Sequence, residues 1–197
     1  MRELKLQTSV EEYFEIEKEC LDIRHEFYKG LVHEKAGENA RHNELCGNIM
    51  KILKQQIQKR NCKVFTGSLR LEAVNQQSYF YPDVLMTCAP LETVSPTLTI
   101  VRSPSLIVEV LSDSTMGFDM NGKMAEYLEI STLQYYLTVS QNEVQVNCYV
   151  RTEAGWLVRI YRAMSDVIEM NELDLSLAVA TIYEGVEIGN VEETQAP

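Results

Sequence analysis

The sequence predicts a mixed β-sheet flanked by helices, a fold of the α/β (α+β) class. Three observations carry that prediction. Apolar residues recur at helical spacing across residues 41–60. From Lys63 onward the spacing changes to that of extended chain. A nearly unbroken apolar run, Leu106-Ile-Val-Glu-Val-Leu111, has the length and makeup of a central strand covered on both faces.

Local signals set the elements in order. Ser9 followed by Glu12 matches a capping box, so a helix is expected from Val10 to Glu19, burying Tyr13 and Phe14. Glu26-Phe-Tyr-Lys-Gly30-Leu-Val32 reads as a small hairpin turning at Lys29-Gly30. On the 41–60 helix, Leu45, Ile49, Ile52, Leu53 and Ile57 form one stripe, with Lys51, Lys54, Lys59 and Arg60 off it or at its end. Val64-Phe65, Leu69-Arg-Leu71 and Tyr79-Phe-Tyr81 are extended, the last running into Pro82-Asp83-Val84-Leu85. Residues 89–105 hold three prolines with several Ser and Thr and are expected to be a loop. A polar turn, Ser112 to Thr115, follows the central strand. Met120, Met124, Tyr127 and Leu128 then mark a helix over 119–130. Gln134 to Val139 is a strand. Val144, Val146, Cys148 and Val150 alternate with polar residues and pair back onto Trp156 to Tyr161 across Glu153-Ala-Gly155. A closing helix is expected over 173–183.

The bulk numbers fit one folded unit. The chain has 197 residues, 45% hydrophobic and 24% charged, enough for a single domain over 1–197 with its core at about 10–188 and a loose tail at 189–197. The formal charge is −11, which repels nucleic acid at long range and argues against a broad basic groove. The five cysteines, Cys20, Cys46, Cys62, Cys88 and Cys148, contain no C-x-x-C pair. Free buried thiols in a reducing cytoplasm are expected, rather than a zinc site. No leader and no stretch of about 18 apolar residues is seen, so a cytoplasmic protein with no membrane partner is expected.

Glu109 carries the most information. Strand geometry puts it on one face with Ile107 and Leu111, and both faces are apolar. A buried, unpaired carboxylate costs on the order of several kcal/mol, so a metal ion, a basic side chain or a set of donors must compensate it. A strand-end glutamate reaching water or a buried ion pair is an equal alternative on geometry alone. Asp83 follows Pro82, which cannot donate to a ladder, so it sits where a strand kinks; a Pro-Asp pair by itself is more often a plain turn. Lys123 lies roughly a quarter-turn from the centre of its helix's apolar stripe and can bend toward the sheet, with Tyr127 at i+4 on the same side. Alone it reads as a surface lysine. Together, two carboxylates on adjacent strands can hold a hard divalent ion, and a nearby ammonium can orient water or steady a phosphate.

Tyr81-Pro-Asp83, Ile107-Val-Glu-Val-Leu-Ser112 with Ser114-Thr115, Gly122-Lys123 and Glu126-Tyr127 resemble the Uma-two family of restriction endonucleases, within the PD-(D/E)XK nuclease superfamily. The resemblance extends to Glu26 with Gly30 and to Arg41-His42-Asn43, and covers roughly 10–188. It implies a restriction-endonuclease-like αβββαβ core and a magnesium- or manganese-dependent hydrolysis of phosphodiester bonds in DNA. It also implies Asp83 and Glu109 as metal ligands. The superfamily's lysine stands two residues after the glutamate, where this chain has Leu111. Members of the family carry it on the following helix, which points to Lys123. Asp113 replaces a common proline, and Lys29 a common Asp or Asn.

His42 projects toward the stripe of its helix while Glu44 points away, so His42 is the preferred neighbour of the site; a hydrogen-bonded core histidine is the plainer alternative. Glu26 is a further carboxylate candidate, or else a hairpin salt-bridge partner. His25 and His33 are expected on the surface. The P-loop, dinucleotide, HExxH and GxSxG patterns are absent. The leading expectation is a metal-dependent endonuclease, with DNA as substrate and a homodimer as the assembly expected of a double-strand cutter. The rivals are a non-catalytic nuclease fold acting by binding, and a structural homodimer in which Glu109 merely pairs with Lys123.

Overall fold

A computed structural model describes residues 3–5, 8–20, 22–35, 37–67, 69–95, 98–111 and 122–188. The 112–115 turn, the start of the 119–130 helix with Met120, and the 189–197 tail lie outside the described residues.

A short strand β1 (Glu3–Lys5) precedes helix α1 (Val10–Glu19). The Ser9 hydroxyl accepts the Glu12 amide and the Glu12 carboxylate accepts the Ser9 amide, which is the capping box the sequence predicts. Strands β2 (His25–Tyr28) and β3 (Leu31–Glu34) make the expected hairpin. Its turn takes Lys29 to φ 48° and Gly30 to φ 89°, the left-handed region where glycine escapes a Cβ clash. Helix α2 (Ala40–Gln56) is capped by the Asn39 side chain, which accepts the His42 amide. Its stripe of Leu45, Ile49 and Leu53 is fully buried.

The strands β4 (Lys63–Thr66), β5 (Arg70–Glu72), β6 (Ser78–Phe80), β7 (Val84–Thr87), β8 (Glu92–Ser95), β9 (Leu98–Val101) and β10 (Leu106–Leu111) follow. Gly122 and Lys123 form a wider turn that leads into helix α3 (Met124–Leu128). Beyond it lie β11 (Tyr135–Ser140), β12 (Val146–Thr152), β13 (Gly155–Tyr161), β14 (Val167–Met170), β15 (Leu175–Ala178) and the single turn α4 (Val179–Ile182). One sheet has the order β13-β12-β11-β10-β7-β4; a second runs β1-β3-β2-β6-β5-β9-β8; β14 and β15 pair as a ribbon. β10 is central, parallel to β11 and antiparallel to β7.

The alternation in β10 divides the core. Leu106, Val108 and Val110 face α2, the ribbon and α4. Ile107 packs on the opposite side with Phe80, Tyr127 and Tyr136, and Glu109 shares that face.

Four expectations are corrected. Residues 89–105 are not simply a loop, since they hold the β8–β9 pair, and β9 runs parallel to β5. Residues 173–183 are mainly the strand β15 with one helical turn after it, because Leu175 and Leu177 are buried at alternate positions. The cysteines are not all free buried thiols: Cys62 and Cys88, opposite each other where β4 meets β7, form a disulfide, and Cys20 is exposed. His25 is buried, and its ring and amide both bond the Glu17 carboxylate. His33 is half-buried.

Candidate active site

The β7–β10 ladder ends at Val84 opposite Val108, and one step further the register sets Asp83 opposite Glu109. Pro82 supplies no N–H, so the strands part there. The two carboxylates continue the pairing in place of the backbone. The Asp83 amide donates to Glu109 Oε2 at 3.2 Å, and the Val110 amide donates to Asp83 Oδ2 at 2.8 Å. Each carboxylate thus satisfies a buried N–H beside the other, a geometry that fixes both side chains.

Glu109 is 1% exposed. Its Oε1 accepts the Tyr127 hydroxyl at 2.8 Å and faces Lys123 Nζ at 3.6 Å. Burial and the Glu109 charge push the Tyr127 hydroxyl well above its ordinary pKa, so it remains a donor. Lys123 Nζ also lies 2.9 Å from Glu26 Oε1, the oxygen that accepts the Tyr81 amide at 3.0 Å. Glu26 comes from β2, so one ammonium ties the hairpin, the central strand and α3 together.

On the other side of Asp83 stand residues from α2 and from the connection between β3 and α2. His42 Nε2 is 3.0 Å from Asp83 Oδ2, and its Nδ1 is 3.7 Å from Glu38 Oε2. Lys35 Nζ is 3.0 Å from Asp83 Oδ1 and 3.0 Å from Glu38 Oε1. Burial alone would raise the Asp83 carboxyl, but the His42 bond and the Lys35 and Lys123 charges hold it well below the usual carboxylate range. Burial disfavours the Lys35 ammonium, yet Asp83 and Glu109 together raise it above its ordinary value. Lys35 lines a cavity of about 430 Å³ shared with Arg24, Glu38, Thr66, Gly67 and Asp83.

Asp83, Glu109 and Lys123 are therefore gathered in one place, and His42, Glu26 and Tyr127 all adjoin them. Lys35 and Glu38 are also in the cluster, and sequence reasoning missed them. Their signals were local: an i,i+3 charge pair, and Glu38 four residues before His42. A second buried network supports the Tyr81–Asp83 corner. The Glu17 carboxylate bonds His25, Arg70 and the Tyr81 hydroxyl. Burial pushes Tyr81 up to about 12, so it stays protonated and can donate.

The donor set suits a hard divalent ion. Asp83 and Glu109 offer buried carboxylate oxygens at one corner of the β7–β10 pair, and ligand atoms of Glu38, His42 and Asp83 lie within 4.8 Å of one another. The Lys35 ammonium bridges the Asp83 and Glu38 carboxylates of this group.

A model of the Uma2 family, described as "Putative restriction endonuclease", matches residues 10–180. The uncharacterized protein slr1290 of Synechocystis is 33% identical over 179 residues, 90% of this chain and 92% of that protein. A second Synechocystis protein, sll1609, is 35% identical over 148 residues, 75% of this chain and 83% of its own. A crystal structure from Anabaena variabilis, described as a "putative nuclease belonging to DUF820", superposes with a TM-score of 0.68 at 14% identity. It covers 81% of this chain and 89% of its own, which is a likeness of fold.

Proposed function

We propose that this chain, which belongs to the Uma2 family, is a divalent-metal-dependent endonuclease acting on phosphodiester bonds in DNA. The observation that carries the reading is the exchange of backbone bonds in which Glu109 Oε2 accepts the Asp83 amide and Asp83 Oδ2 accepts the Val110 amide, with Lys123 Nζ 3.6 Å from Glu109 Oε1.

Asp83 and Glu109 are the residues that would hold the ion, magnesium or manganese. When bound, it lowers the pKa of a coordinated water and neutralises charge building on the phosphate. Tyr127 keeps Glu109 in its rotamer by donating to Oε1. Glu26 holds the Lys123 ammonium beside Glu109, where it orients the attacking water or steadies the phosphate. His42 fixes the second Asp83 oxygen.

A second reading, a non-catalytic nuclease-fold homodimer that works by binding, draws support from β13. Leu157, Val158 and Ile160 on that edge strand are all exposed, and the −11 charge disfavours a nucleic-acid surface.

Nicking of supercoiled plasmid with Mn²⁺ separates the two. The enzyme reading expects nicking by the wild type and a loss of about 100-fold or more in Asp83→Asn and Glu109→Gln. Equal rates in all three proteins remove the assignment.

A further inference from the structure

Lys35 sits where a cation is wanted, and no step above uses it. Its Nζ is 3.0 Å from Asp83 Oδ1, 3.0 Å from Glu38 Oε1 and 3.1 Å from the Tyr81 carbonyl. Three acceptors match the three N–H donors of an ammonium. Asp83 Oδ2 is already taken by the Val110 amide and His42. Oδ1 is therefore the oxygen that remains for a metal, and Lys35 holds it.

Resting on the reading of Asp83 as a metal ligand, we propose that Lys35 is a tethered counter-ion that occupies the cation position on Asp83 Oδ1 in the ion-free protein and is displaced when a divalent ion binds. Two cations on one carboxylate oxygen repel, so one excludes the other. Lys35 has somewhere to go. It stands at the end of β3, where the connection to α2 begins, and its side chain borders the open cavity of about 430 Å³ that Arg24 also lines. Displaced into that cavity, its charge joins that of Arg24 on a wall that a phosphate group can approach. Lys123 differs, because it lies between Glu26 and Glu109 and is not among the residues that line this cavity. Lys35 thereby sets how tightly the site takes metal while keeping Asp83 compensated when none is present.

Mn²⁺ is titrated into the full chain while the free aquo ion is followed by electron paramagnetic resonance. The proteins are wild type, Lys35→Met and Asp83→Asn. Lys35→Met is expected to bind Mn²⁺ about tenfold more tightly than wild type or better, since the competing ammonium is gone, and Asp83→Asn to lose binding. Equal or weaker affinity in Lys35→Met, with Asp83→Asn still inactive in binding, overturns the role of Lys35 alone. No binding by wild type or Lys35→Met overturns the metal reading of Asp83 and this inference with it. Acylation of Lys35 in the wild type by an amine-reactive ester, located by peptide mass spectrometry, needs no variant to fold. Labelling is expected to rise when Mn²⁺ is bound; labelling unchanged by bound Mn²⁺ overturns displacement.

Discussion

Glu109 survives in an apolar strand because each of its oxygens has a donor. Tyr127 and Lys123 serve Oε1, and the Asp83 amide serves Oε2. Removing one donor leaves a buried charge short of a bond, at a cost of about 1–3 kcal/mol. Tyr127→Phe is therefore expected to lower unfolding free energy by that amount in urea melts and to cut nicking by roughly 10- to 100-fold, as outer-shell partners do. A Phe variant with wild-type rates and stability would mean that Glu109 is positioned without the hydroxyl. At this scale the sequence was informative wherever a residue broke a pattern. Glu109 stood out as a charge in an apolar run, and the helical phase aimed His42 inward. Lys35 and Glu38 broke nothing. They sit in a connection with no periodicity, and Lys35 meets Asp83 across 48 positions, a proximity that only the folded chain creates.

Elements were legible where spacing and turn chemistry agreed. The capping box, the stripe of α2 and the paired strands β12 and β13 follow from residues within one window. The two misread segments show the limit. Prolines at 90, 96 and 104 argued for a loop across 89–105, yet the β-branched residues between them pair as strands, with β9 lying beside β5 far back in the chain. Leu173 to Tyr183 is apolar enough for a buried helix, and only the pairing of β15 with β14 makes its alternation decisive. The β2–β3 turn is sensitive to a single change, because Gly30 stands at φ 89°. Gly30→Ala is expected to destabilise the fold by about 1 kcal/mol or more, read from the urea midpoint. It should also weaken the seat of Glu26 at the root of that hairpin. No shift in midpoint would show that the turn relaxes freely.

For the molecule as a whole, the acidic balance and the chemistry of the site point in different directions. A chain of charge −11 does not gather DNA by its overall field. The basic groups are instead placed locally: Lys123 and Lys35 inside the cluster, Arg24 on the cavity wall. The fold gives up core space on β10, β2 and the β7 corner to enclose several carboxylates; two lysines offset their charge and His42 lies within bonding distance of Asp83. Such an arrangement is costly as mere structure and economical as a cation site. The central claim is that Asp83 and Glu109 share one metal ion. Crystals soaked in Mn²⁺ and measured near the manganese absorption edge examine it directly. The account predicts an anomalous peak within about 2.5 Å of carboxylate oxygens from both residues. A peak held by Glu38, His42 and Asp83 with Glu109 unengaged, or no peak at the site under saturating Mn²⁺, would contradict it.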